Sequence, residues 1–212
     1  MKKFIILISL FTFSACSTTH FVDSWKNPEI TVFNPEKVMV VGITDNLTAR
    51  TIFEEELTRA FKNRVINTAE STSILNENFT SSKKSEKEID KMIQYISQQG
   101  FDAIVITSVK GVEKRRNYYN NYNTFGWRWS KFGSYYYWYQ DIYFTPNYYD
   151  EYKVYHVETS IYNINKDDSK SLVWVGALDL INPKTITGTI NDYVTRIIKQ
   201  LEHENIIKKL KY

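Results

Sequence analysis

Two continuous apolar runs, Val38 to Thr44 (VMVVGIT) and Phe101 to Val109 (FDAIVITSV), constrain the fold of this chain more than any other feature. Runs without polar alternation form strands buried on both faces, so their sheet must be covered by helices. The flanking sequence supplies them. From Thr48 to Asn63, residues Ile52, Phe53, Leu57, Ala60 and Phe61 share one helical face, with Glu54, Glu55, Arg59 and Lys62 largely elsewhere. Arg50 and Glu54 stand one turn apart and read as a surface pair worth about 0.3 kcal/mol. Ser85-Glu86-Lys87-Glu88 is a capping box, followed by Ile89, Met92, Ile93 and Ile96 at helical spacing and by Gly100 in the stop position. Val65 to Thr68 reads as a short strand, and Ser71 to Lys84 is polar and weakly determined. Tyr152 to Ile164 alternates, with Tyr155, Val157, Thr159 and Ile161 on one face and His156, Glu158 and Ser160 on the other. Leu172 to Leu180 returns beside it as an antiparallel hairpin. Ile186, Ile190, Tyr193, Val194, Ile197, Ile198 and Leu201 trace a last helical stripe. This order predicts one α/β (α+β) domain, a mixed sheet with helices packed on it.

The N-terminus carries a different message. Lys2 and Lys3, the apolar stretch Phe4 to Phe13 and Ser14-Ala15-Cys16 resemble a bacterial lipoprotein signal peptide. The stretch is too short to span a bilayer, which takes about 20 apolar residues. The resemblance implies cleavage before Cys16, diacylglycerol on its sulfur and acylation, such as palmitate, of the new amino terminus. Residues 1–15 are then the signal, 16–36 the acylated cysteine and a tether with Phe21 and Trp25 anchoring its end, and 37–212 the domain. Ser17 follows the cysteine where Asp would retain an enteric-type lipoprotein at the inner membrane, which leans towards a periplasm-facing place on the outer membrane.

Charge and chemistry narrow the function classes. Loss of Lys2 and Lys3 takes 27 basic residues to 25 against 24 acids, so +3 becomes +1. A near-neutral chain lacks the electrostatic footprint of a duplex-binding protein, and no nucleic-acid partner is expected. Cys16 is the only cysteine, so the domain holds no disulfide, thiolate metal ligand or cysteine nucleophile. Seven glycines include no phosphate-cradling loop, and His20, His156 and His203 form no zinc motif. His156 and Glu158 share a strand face and read as a pH-sensitive or hydrogen-bonded structural pair. No catalytic residue, no metal site and no cofactor beyond the lipid on Cys16 are expected, and the chain reads as a non-enzyme.

Between Gly111 and Asp150 stand ten tyrosines, three tryptophans and three phenylalanines, with only Val112 and Ile142 as branched aliphatics. Such an insertion is no ordinary core, because rings need aliphatic filler and buried hydroxyls need partners. It reads as a recognition surface, with Trp127, Trp129, Tyr135, Tyr136, Tyr137, Trp138 and Tyr139 as contacts, or as an excursion packing on the domain or on another copy. A membrane-inserting hairpin fits poorly, since both faces of Tyr135 to Tyr139 would be aromatic.

Ser24-Trp25-Lys26-Asn27-Pro28, the Val38 and Phe101 strands, the tyrosine-rich insert and Leu172-Val173-Trp174 resemble a group of uncharacterised bacterial envelope lipoproteins, some labelled cardiolipin synthase. The paired His-x-Lys-x4-Asp motifs of phospholipase D-type synthases are missing here. The element order is also similar to the curli secretion lipoprotein and to the lipoproteins that activate penicillin-binding proteins. These features together imply a membrane-anchored, non-catalytic binding or assembly factor, held in the membrane by its lipid and contacting an envelope protein or peptidoglycan. The alternative is a subunit of an oligomeric secretion or pore complex of the curli-like class.

Overall fold

The computed structural model describes residues 18–75, 79, 82–114, 132–133, 153–165 and 171–210. Cys16 and the aromatic residues 127, 129 and 135–139 therefore lie outside the described residues.

Six strands form one mixed sheet. They are β1 (Thr19–Lys26), β2 (Val38–Ile43), β3 (Thr68–Glu70), β4 (Ala103–Lys114), β5 (Lys153–Asn163) and β6 (Leu172–Ile181), in the order β1-β6-β5-β4-β2-β3. β2 pairs parallel with β3 and β4, while β4, β5, β6 and β1 pair antiparallel in turn. β2 is buried at every position, as its unbroken apolar run requires.

Helices cover both faces. Leu57 and Phe61 of α1 (Leu47–Lys62) and Ile197, Ile198 and Leu201 of α4 (Ile186–His203) pack on Val38, Val40, Val105, Val157 and Leu178. Ile89, Met92 and Ile96 of α3 (Glu86–Gln98) meet Met39, Val41, Ile104 and Ile106 on the other face. Each such side chain contributes about 1.5–3 kcal/mol by leaving water. The short α2 (Ser71–Ile74) follows β3. The capping box closes as expected: the Ser85 amide donates to Glu88 Oε2 at 2.8 Å and the Ser85 hydroxyl accepts from the Glu88 amide at 3.4 Å. Gly100 takes the left-handed stop conformation at φ 82°.

Four expectations change. The stretch read as a tether supplies an edge strand, because β1 pairs with β6 from Thr19 opposite Leu180 to Lys26 opposite Trp174. A register shift between Phe21 and Asp23 breaks the period-2 pattern that would have revealed it. Glu204, at the end of α4, ties this strand down by accepting from the Ser24 hydroxyl of β1, and it also accepts from the Trp174 indole of β6 at 2.9 Å and from the Gln200 amide of α4 itself. Asn27, fully buried, continues the attachment by donating to the Leu172 carbonyl at 2.8 Å. Next, the weak strand lies at Thr68–Glu70 and not at Val65 to Thr68, because Val65 turns the chain at φ 61°. Third, β4 runs on to Lys114, so Gly111 and Val112 belong to the sheet and not to the aromatic insertion. Fourth, Phe132 from within that insertion is a core residue, 2% exposed and edge-on to Tyr162 at 5.8 Å.

Gly176 serves close approach. It lies under the fully buried Trp174, and a Cβ there would collide with the indole ring.

Candidate functional site

The strand register gathers one end of the molecule. β2, β4 and β6 run the same way, so their last residues lie with the first residues of β1 and β5. Thr19 pairs with Leu180, Val154 with Ile181, and Lys114 with Lys153. Cys16 is three residues before Thr19, a span of at most about 11 Å. The segment 115–152 joins Lys114 to Lys153, so both of its attachment points sit at this same end.

A cavity of about 150 Å³ opens here between the first turns of α1 and α4 and the sheet. Ile43, Phe53, Val109, Val157, Leu180 and Ile190 give it apolar walls. Its polar lining is largely engaged elsewhere. Arg50, 1% exposed, donates from Nε to Glu54 Oε1 at 2.9 Å and from a terminal nitrogen to Ser71 Oγ at 2.9 Å. Glu54, fully buried, also accepts from the Gly42 amide at 3.0 Å, the Ser71 hydroxyl at 2.6 Å and, on Oε2, the Thr72 amide at 2.9 Å. The expected surface pair is thus a buried one that ties α1 to β2 and α2. The reason is position: Arg50 and Glu54 lie on the stripe of Phe53, Leu57 and Phe61, and that stripe faces the sheet. Beneath the cavity the hydroxyls of Thr107, Thr159 and Tyr193 form a chain with oxygen separations of 2.6 and 2.7 Å. Burial drives the Tyr193 phenol far above its usual value, so it stays neutral. A polar ligand finds few open partners in such a site; a hydrocarbon group finds matching walls.

The other face of the sheet carries charge at this end. A register shift between Val109 and Gly111 accompanies the placement of Lys110 against Glu158 at 3.2 Å. Burial pushes the Lys110 ammonium down to about 8 against the pull of Glu158. His156 Nδ1 lies 2.6 Å from Asp179 Oδ1, and Nε2 lies 3.4 Å from Glu113 Oε1. The hydrogen bond to Asp179 raises the His156 pKa, partly opposed by desolvation and aided by the charges of Asp179 and Glu113. The expected pairing of His156 with Glu158 is replaced: both lie on one face of β5, but His156 meets its cross-strand neighbours on β6 and β4, and Glu158 meets Lys110.

Sequence reasoning passed over Arg50, Glu54, Ser71, Lys110, Asp179 and Tyr193 as site residues. For Arg50 and Glu54 the signal was their place on an apolar helical stripe. For Lys110 and Asp179 none exists, since only strand register brings them to their partners, and for Ser71 none exists because it reaches α1 only through the packing of α2 after β3. Among the described residues no group of three His, Cys, Asp or Glu side chains is placed to hold a metal, and no helix is long and apolar enough to cross a membrane.

No family model matches the chain, and no curated protein matches it. Several solved structures share a broad likeness with it, and three illustrate it. One is the PelC dodecamer from Paraburkholderia phytofirmans, at 8% identity over 85% of this chain and 95% of that one, with a TM-score of 0.44. A lipoprotein from Neisseria meningitidis is similar at 8% identity over 80% and 99%, with a TM-score of 0.41. The third, a DUF4136 family protein from Bacteroides thetaiotaomicron, is similar at 10% identity over 90% and 99%, with a TM-score of 0.42. Likenesses at this level assign neither family nor activity, and they leave the cardiolipin synthase and curli resemblances untested.

Proposed function

We propose that this chain is a bacterial envelope lipoprotein, anchored through acylated Cys16 on the periplasmic side of the outer membrane, that works by binding and not by catalysis. Its contact surface in this reading is the aromatic segment, with Trp127, Trp129 and Tyr135 to Tyr139 meeting an envelope protein or peptidoglycan. The observation that supports it is the shared end of the sheet: Thr19, three residues past Cys16, lies with Lys114 and Lys153, between which the aromatic segment runs. Tyrosine and tryptophan give large contact area at low entropy cost, which suits a surface held in place by a rigid sheet. Because β1 starts so close to Cys16, the domain has no long tether and would work within its own length of the membrane.

The test is capture of partners from the envelope of the native organism by the full chain, beside a variant carrying Trp127→Ala, Trp129→Ala and Trp138→Ala. Loss of a specific protein or of peptidoglycan fragments in the variant, with its circular dichroism unchanged, is the expected result. An identical catch would remove the segment from the binding role. Release of the chain from the membrane fraction by Cys16→Ala is expected as well, and continued membrane retention would contradict the anchor.

A further inference from the structure

The anchored end of the sheet carries exposed apolar side chains that the domain does not use. Leu47 is the first residue of α1 and is 53% exposed; Ile186 is the first residue of α4 and is 42% exposed. Each stands within one turn of residues that line the cavity, Ala49 and Arg50 on α1 and Thr189 and Ile190 on α4. Both helix starts therefore lie beside the cavity. Phe21 and Val22, also exposed, lie two and three residues after Thr19 on β1 at this same end. Neither Leu47 nor Ile186 is needed for capping, which the side chains of Asn46 and Thr185 supply.

The geometry points to this rim as a docking surface for the lipid bilayer itself. Leu47 and Ile186 enter the interfacial region beside the cavity. The inference rests on the anchoring read at Cys16, because the short span from Cys16 to Thr19 is what fixes which end faces the membrane. Apolar side chains pressed against a bilayer by a covalent anchor gain hydrocarbon contact at little further cost in translational entropy. A hydrocarbon chain meeting the cavity mouth would find apolar walls in place of water, which is what a cavity of this lining accepts.

The experiment uses the full acylated protein in vesicles of phosphatidylethanolamine and phosphatidylglycerol. Cys16 is the only cysteine, and its acylation leaves it unreactive, so Leu47→Cys and Ile186→Cys each accept one environment-sensitive fluorophore. Val65→Cys, just past the far end of α1 and 95% exposed, is the control. The expected result is a blue shift at positions 47 and 186, quenched by spin-labelled lipid, with an aqueous spectrum at 65. Aqueous spectra at all three positions, or equal shifts at all three, would overturn the docking. A blue shift that spin-labelled lipid does not quench would also overturn it, by showing that protein covers the rim. Absence of lipid on Cys16, read by mass spectrometry of the same preparation, would remove the anchoring and this inference together. Aqueous labels on acylated protein would remove only this one.

Discussion

Two charged clusters sit on opposite sides of the same sheet, and they are built to different ends. Glu54 is fully buried, and its carboxylate receives four donors: one from β2, two from α2 and one from the Arg50 side chain of its own helix α1. Around His156 the groups are half-open: its side chain is 22% exposed, that of Asp179 27% and that of Glu113 48%. The first cluster has one satisfactory arrangement and pins three elements together. The second centres on a partly open imidazole whose pKa is raised by its hydrogen bond to Asp179, so its contribution depends on pH.

The largest effect belongs to the pin. Glu54→Ala strands a buried guanidinium and is expected to cost about 3–5 kcal/mol in urea unfolding. The paired change Arg50→Met with Glu54→Leu should recover most of that loss, because it removes both charges. If Glu54→Ala cost less than about 1 kcal/mol, the contrast between the clusters would fail. Glu204 belongs with Glu54, since three donors converge on it. Glu204→Ala leaves the buried Trp174 indole without its acceptor and should cost about 1–3 kcal/mol. Hydrogen exchange should then quicken in β1 before it does in β2, and uniform exchange would break this reading.

The charged groups on the His156 face, including the more buried Lys110 and Glu158 pair, are expected to make stability depend on pH, in two opposite senses. Lys110 has a folded-state pKa of about 8, below its usual value, so the unfolded chain holds more protons between about 8 and 10.5. Its contribution to stability therefore rises with pH across that window. A wild type that gains no stability over Lys110→Met between about pH 8 and 10 would contradict the assignment. His156 has the reverse sign: its raised pKa gives stability that is full below about 6.5 and is lost as pH climbs through the folded value. Thermal melts should show a loss of about 1 kcal/mol or less over that range, absent in His156→Gln. Histidine proton resonances titrating at or below the ordinary value would sink it.

The fold was legible where burial is continuous or periodic. Val38 to Thr44 and Phe101 to Val109 announce central strands, and Ser85 with Glu88 announces a helix start, because those signals are local. β1 was not legible: its register shift at Phe21 and Asp23 destroys the alternation, and its attachment depends on Glu204, 180 residues away from Ser24. The same holds for the charged groups. Nothing near Lys110 in sequence names Glu158 as its partner, and nothing near His156 names Asp179. Arg50 and Glu54 were visible as a pair, and the spacing that made them look like surface residues also places them on the apolar stripe. The cavity was beyond sequence reasoning, since its walls come from elements scattered along the whole chain.

Everything proposed for this chain depends on the sheet being held almost directly on a membrane through Cys16. Mass spectrometry of the N-terminal peptide of the mature chain, purified from its own envelope, decides the matter. The expected peptide starts at Cys16, continues Ser17-Thr18-Thr19 and carries the mass of diacylglycerol with an acyl group on its amino terminus. An unmodified cysteine, or a chain still beginning at Met1, would refute the anchor.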